Sequence, residues 1–267
     1  MKFKKKLFIV VFLLLNIYGL LCGVIYFFQE NLIFMPTALP QEHVYKLKNT
    51  FEEINLNASD GAQLNGLHFK KENPNGLVLY FHGNAGNLEG WGSIAEFFVD
   101  LNYDVIIMDY RGYGKSTGEL SSEKLYSDAV LWYDFAKDNY NESTITVYGR
   151  SLGTAFATYA AANNQPKKLV LEAPFYSMEE IAKSRFSFLP ITYLLNYKFP
   201  SNQYINEVPS PITIYHGTKD QVIDFKQGED LYKSIKSESK KLITIDNGGH
   251  NNLISFKEYS ESIASEL

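Results

Sequence analysis

Cysteine is nearly absent from this 267-residue chain: the single copy, Cys22, leaves no internal disulfide, no CxxC redox pair and no Cys-rich zinc site. Charge of either sign is missing from residues 7–28. Positive charge is scarce after that run, with 21 basic against 30 acidic side chains in residues 29–267, so the charge balance draws this body to neither nucleic acid nor anionic lipid. Repeats, low-complexity tracts and Gly/Ser linkers are missing too, which argues for one domain behind an anchor. With 45% apolar and 15% aromatic residues the chain can bury a large core, and collagenous, disordered or disulfide-scaffold classes are excluded. Its chemistry must come from Ser, His, Asp, Glu or Lys.

As a helix, residues 7–28 are long enough to cross a hydrocarbon core roughly 30 Å thick. A cleaved signal peptide would have a shorter apolar core and small residues at its end, whereas Tyr26, Phe27, Phe28 and Gln29 follow here. A lipoprotein signal read at Cys22 fits poorly behind Leu20 and Leu21. The expected order is a basic cytoplasmic tail (1–6), a transmembrane anchor (7–28), a membrane-proximal connector (29–50) and a folded domain (51–267). Lys2, Lys4, Lys5 and Lys6 before the span place the tail in the cytoplasm and the folded domain on the extracytoplasmic side.

From residue 51 onward β-branched and aromatic runs alternate with helical patterns. Strands are expected at 51–56, 63–69, 77–81, 105–109, 145–148, 169–172, 212–215 and 242–245, and helices at 90–101, 122–138, 152–163, 225–237 and 252–265. After two opening strands the alternation means a mostly parallel sheet of about eight strands with helices on both faces. Residues 175–211 break the rhythm with many aromatics and read as a small helical cap over the sheet. Phe175, Phe188 and Leu194 are its candidate substrate-binding residues, for an acyl chain presented by the membrane. The alternative is that such side chains only pack the cap onto the sheet.

Gly149-Arg150-Ser151-Leu152-Gly153 lies between a strand and a helical run, the context in which GxSxG presents a serine hydroxyl. The chain carries its own control. Gly114-Lys115-Ser116-Thr117-Gly118 spells the same pattern away from any strand end, and Asp109 stands where a P-loop would need its first glycine, so Ser116 reads as a loop serine. A serine needs a base and an orienting acid. His250, after the last strand in Asp246-Asn247-Gly248-Gly249-His250, is the base; His43, His68 and His216 read as structural. Asp220, past the strand ending near residue 215, gives the order Ser, acid, His, with Asp224, suited to capping a helix, and Glu172 as rivals. The backbone N–H groups of Asn84, in His82-Gly83-Asn84-Ala85-Gly86-Asn87, and of Leu152 are the candidate oxyanion donors.

Together these segments resemble the α/β-hydrolase fold, and within it the membrane-anchored Bem46-like group related to the ABHD13 and ABHD17 hydrolases. The likeness runs through Phe28-Gln29-Glu30-Asn31-Leu32-Ile33-Phe34 with Pro36, His82 to Asn87, Asp109-Tyr110-Arg111-Gly112-Tyr113-Gly114, Gly149 to Gly153, Glu172-Ala173-Pro174-Phe175, His216-Gly217 with Asp220, and Gly249-His250-Asn251. It implies Ser151, Asp220 and His250 as the triad, Asn84 and Leu152 as the oxyanion hole, no metal and no cofactor. By the same likeness Asp109 and Arg111 brace loops beside the site, and Asn252 stands where many relatives have Asp. The expectation is a membrane-anchored serine hydrolase of carboxylic esters or thioesters, acting on a small-molecule or lipid acyl ester. A serine peptidase on the same fold and a catalytically silent membrane scaffold are the alternatives.

Overall fold

The computed structural model of the protein describes residues 2–267, so Met1 of the expected basic tail lies outside the described residues. Helix α1 runs from Lys2 to Ile33 and is the one helix among the described residues long and apolar enough to cross a membrane. It continues past the uncharged run because Gln29, Glu30 and Asn31 are compatible with a helix and no proline intervenes before Pro36. The first residues of the expected connector therefore belong to the helix. Beyond it, residues 35–39 run alongside the body: Thr37 N–H donates to Gly86 O (3.0 Å), Gly86 N–H to Met35 O (3.1 Å), and Leu39 N–H to Gly114 O (2.7 Å).

The strands are β1 (Phe51–Asn57), β2 (Gln63–Phe69), β3 (Leu77–Phe81), β4 (Asp104–Met108), β5 (Ile145–Arg150), β6 (Lys168–Glu172), β7 (Ile212–Gly217) and β8 (Lys240–Ile245). They form one eight-stranded sheet in the order β1-β2-β4-β3-β5-β6-β7-β8, parallel from β4 to β8 and antiparallel at β1 and β2. The crossovers are α2 (Leu88–Asp100), α3 (Ser122–Asn139), α4 (Gly153–Ala162) and α8 (Phe225–Ser234), and α9 (Lys257–Glu266) closes the fold. Between β6 and β7 the cap holds α5 (Met178–Arg185), α6 (Ile191–Leu194) and α7 (Ser201–Tyr204).

Strand alternation sorts the core into two layers. In β3, Leu77, Leu79 and Phe81 pack with Trp132 of α3 and Phe156 of α4, while Val78 and Tyr80 pack with Phe98 of α2 and Tyr259 of α9. Central strands buried on both faces need the continuous apolar runs seen here. The fourth strand ends one residue earlier than expected. Asp109 lies just outside it, where its backbone N–H donates to Asn65 O and its carboxylate accepts from Leu88 N–H at the start of α2.

Candidate active site

Parallel strands deliver their C-terminal ends to one edge of the sheet, and that edge collects the residues singled out in the sequence. At the end of β5, Ser151 sits at φ +51°, a left-handed backbone that a non-glycine residue adopts only when its surroundings impose it. Its N–H donates to Glu172 O (2.9 Å), and its carbonyl accepts from Thr154 N–H (3.0 Å) as α4 begins. The flanking glycines are sterically required. A Cβ on Gly153 would stand 2.1 Å from Phe81 O and 2.5 Å from His82 O, and one on Gly149 would meet Ala157 Cβ at 2.6 Å.

His250 Nε2 lies 2.9 Å from Ser151 Oγ, and its Nδ1 lies 2.7 Å from Asp220 Oδ2. Asp220 is fixed in turn: its Oδ1 accepts from Val222 N–H and Ile223 N–H, both at 2.8 Å. Burial pushes the Asp220 carboxyl up, but the hydrogen bonds from His216 and His250 and from Ile223 N–H outweigh it and hold the group well below the usual carboxylate range. It is therefore an acceptor that keeps a proton on the imidazole nitrogen facing it. Asn252 Oδ1 accepts from Gly249 N–H (2.7 Å) and shapes the turn that presents His250.

The N–H groups of Asn84 and Leu152 donate to no other group among the described residues. The Leu152 N–H stands at the start of α4, whose dipole favours negative charge. The Asn84 side chain is pinned: its Nδ2 donates to Ile33 O (2.6 Å), and its Oδ1 accepts from Met35 N–H (3.0 Å) and Tyr113 OH (2.7 Å). The end of α1 thus holds the loop that carries one candidate oxyanion donor.

A cavity of about 290 Å³ opens at Ser151, and Asn84, Leu152, Phe175, Ile181, Leu194 and Ile223 are among the residues that line it. Arg185 is the charged side chain in that lining. Of the three cap residues expected to bind substrate, Phe175 and Leu194 are there. Phe188 is not; it lies 62% exposed in the stretch between α5 and α6.

The rival acids have other partners. Asp224 caps α8 by accepting from Lys226 N–H, and Glu172 is buried against Tyr148, Tyr259 and Arg150. Ser116 Oγ donates to Asp109 O and accepts from Asn65 N–H, a loop brace. Asp109 faces His82 Nε2 at 3.3 Å at the start of the loop that carries Asn84, whereas Arg111 pairs with Asp128 of α3 and with Asp60, tying an outer loop to the body. His43 and His68 contact Glu89 and Tyr140, away from Ser151.

Sequence reasoning missed two contributors. His216 does more than pack: its Nε2 lies 2.9 Å from Ile223 O and 3.4 Å from Asp220 Oδ2, supporting the acid from behind. Its place four residues before Asp220 was the available signal. The second is α1, whose Ile25, Leu32 and Ile33 also line the cavity. The polar Gln29 at the end of an apolar run, within the Phe28 to Phe34 segment of the likeness, was the available sign of it.

A family model described as "Serine aminopeptidase, S33" matches residues 72–207, which include Asn84 and Ser151 but stop short of Asp220 and His250. The uncharacterized protein Rv2307c of Mycobacterium tuberculosis is 29% identical over 236 residues, covering 86% of this chain and 84% of that one. The lysophosphatidylserine lipase ABHD12 of Danio rerio is 31% identical over 73% of this chain and 54% of its own length. Among solved structures, the Pyrococcus furiosus esterase Pf2001 superimposes with a TM-score of 0.68 over 88% of this chain and 96% of its own, at 18% identity.

Proposed function

The chain belongs to the serine aminopeptidase S33 family of α/β-hydrolases, and on that premise we propose that it is a membrane-anchored serine hydrolase cleaving carboxylic ester or thioester bonds. The observation that carries the proposal is the unbroken relay from Ser151 Oγ through His250 to Asp220, set at the mouth of an apolar cavity. His250 Nε2 takes the serine proton as Oγ attacks the carbonyl carbon. Asp220 orients the ring and stabilises the imidazolium. The developing oxyanion is met by the N–H groups of Asn84 and Leu152, which have no competing acceptor to give up. His250 then returns the proton to the leaving alcohol or thiol, and water releases the acyl group from Ser151 by the same steps in reverse order.

An ester rather than an aminopeptide is favoured by the lining. An aminopeptidase must hold a substrate ammonium, and the residues around this cavity supply the cation Arg185 and no carboxylate. The lipase and the esterase that the chain resembles support the same side of that choice. Helix α1 is the anchor in this reading, with the lysine-rich tail in the cytoplasm and the hydrolase on the extracytoplasmic side.

The test is fluorophosphonate labelling of the full-length protein, followed by assay against p-nitrophenyl esters and aminoacyl p-nitroanilides. Labelling at Ser151 with turnover of esters is the expected result. Absence of labelling leaves only a silent scaffold, and preference for the anilides leaves a peptidase.

A further inference from the structure

Helix α1 is apolar on every side, yet only one face of it is covered. Cys22, Ile25, Gln29 and Ile33, spaced three or four residues apart, are partly or fully buried, while Val24, Phe27 and Phe28 between them stand exposed. The covering material is the cap: Leu189, Ile191 and Leu195 form a small apolar cluster against Cys22, Ile25 and Ile33. Polar contacts fix the register of the two. Gln29 is 3% exposed, its Nε2 donating to Leu194 O (3.1 Å) and its Oε1 accepting from Asn196 N–H (2.7 Å). Tyr197 OH donates to Glu30 Oε1 (2.5 Å), and further up the helix Tyr18 OH donates to Phe188 O (3.1 Å). A glutamine buried without partners would cost a few kcal/mol, so Gln29 tolerates one docking of helix on cap and penalises a slipped one.

That docking brings Ile25, Leu32 and Ile33 into the lining of the Ser151 cavity. We propose that the last turns of α1 form one wall of an acyl-chain subsite, so that a hydrocarbon chain esterified at Ser151 runs along the anchor helix itself. The proposal rests on Ser151 being the nucleophile of an ester hydrolase. It goes beyond that reading in assigning chain-length selectivity to residues of α1. Ile25, Leu32 and Ile33 make this wall apolar, and Gln29, which also lines the cavity, has its amide bonded to Leu194 O and Asn196 N–H, so the wall suits methylenes. Phe188, 62% exposed, accepts at its carbonyl from Tyr18 OH of α1, as expected of a cap that meets lipid beside its anchor.

The experiment uses the full-length protein in phosphatidylcholine vesicles and measures kcat/KM for p-nitrophenyl esters of two to sixteen carbons. Ile25→Trp fills the wall and is expected to lower the dodecanoate-to-butyrate ratio at least tenfold, moving the optimum to shorter chains. Leu32→Ala widens it and is expected to move the optimum to longer chains. Leu13→Trp, on the far part of the helix, should keep the wild-type ratio. Fluorophosphonate labelling reports which variants are folded, and if Ile25→Trp is not labelled, Leu32→Ala decides. Ratios unchanged from wild type in the labelled wall variants overturn the proposal while leaving the hydrolase intact. A wild-type protein that turns over no ester at any length overturns the hydrolase reading, and this one with it.

Discussion

At the scale of single residues, two serines share a pattern and differ in surroundings. Ser151 Oγ points to a histidine nitrogen, whereas Ser116 Oγ is spent on Asp109 O and Asn65 N–H. Ser151→Ala is predicted to abolish fluorophosphonate labelling and to lower kcat by several orders of magnitude. Ser116→Ala should keep labelling while losing about 1–3 kcal/mol of stability, because it leaves buried backbone groups unpaired. Labelling that survives in Ser151→Ala, measured by in-gel fluorescence, would remove the assignment. Asp220→Asn should cost about 10⁴ in kcat with little loss of stability, since the amide supports the wrong tautomer of His250. These residues could be found in the sequence because each follows a strand end, in the chain order of such hydrolases. Phe188 lies outside the cavity for a reason the sequence does not show: inside a cap without strong periodicity, an aromatic side chain has no signal for which way it faces.

At the scale of elements, the turn from β5 into α4 depends on two missing side chains. Gly153→Ala drives a Cβ into the backbone carbonyls of Phe81 and His82, and a loss of about 3 kcal/mol or more is expected, visible as a fall in Tm and loss of labelling together. Gly90→Ala in α2, where a Cβ meets nothing within 4 Å, should instead gain about 0.5–1 kcal/mol. Helix α9 is held by one carboxylate that reaches three strands: Glu266 accepts from Lys168 of β6, Thr213 of β7 and Lys241 of β8. Burial pushes Glu266 up, but those donors bring it down to about 2 from an ordinary 4.5. A depressed carboxyl stabilises the fold above its unfolded value, so this contribution is full above about pH 4.5 and fades as pH falls towards 2. Glu266→Gln should therefore lower Tm at neutral pH and flatten the acid side of the Tm–pH curve; parallel curves for the two proteins would remove Glu266 as the cause. Strand boundaries were legible to within a few residues because buried parallel strands are written as unbroken apolar runs, whereas the last helix, expected from residue 252, begins only at Lys257, after a single 3-10 turn at Leu253–Ser255. The order in which the strands lie was not, since β4 inserting between β2 and β3 leaves no mark in either run.

At the scale of the whole molecule, the lysine-rich tail and the apolar helix predict which compartment the hydrolase occupies. Protease added to intact cells or spheroplasts should digest the catalytic body, and the purified protein should still begin before Leu7; complete protection would reverse the orientation. The sequence made the apolar helix legible as an independent part, because hydropathy reports only that a helix is apolar. What it could not report is a face chosen by contacts some 165 residues away, such as Gln29 to Leu194. The strap at residues 35–39 carries a mechanical consequence. Helix and body are joined with no loose hinge: Ile33 and Met35 grip Asn84 directly, and Thr37 and Leu39 are bonded into the adjoining turns. A helix of 32 residues is about 48 Å long, well over the thickness of a bilayer's apolar layer, so as the proposed anchor it would take an angle set by how thick that layer is. If α1 is the anchor proposed above, each change of angle would act through the strap on the Asn84 N–H proposed to meet the oxyanion, so turnover would register the thickness of the host membrane.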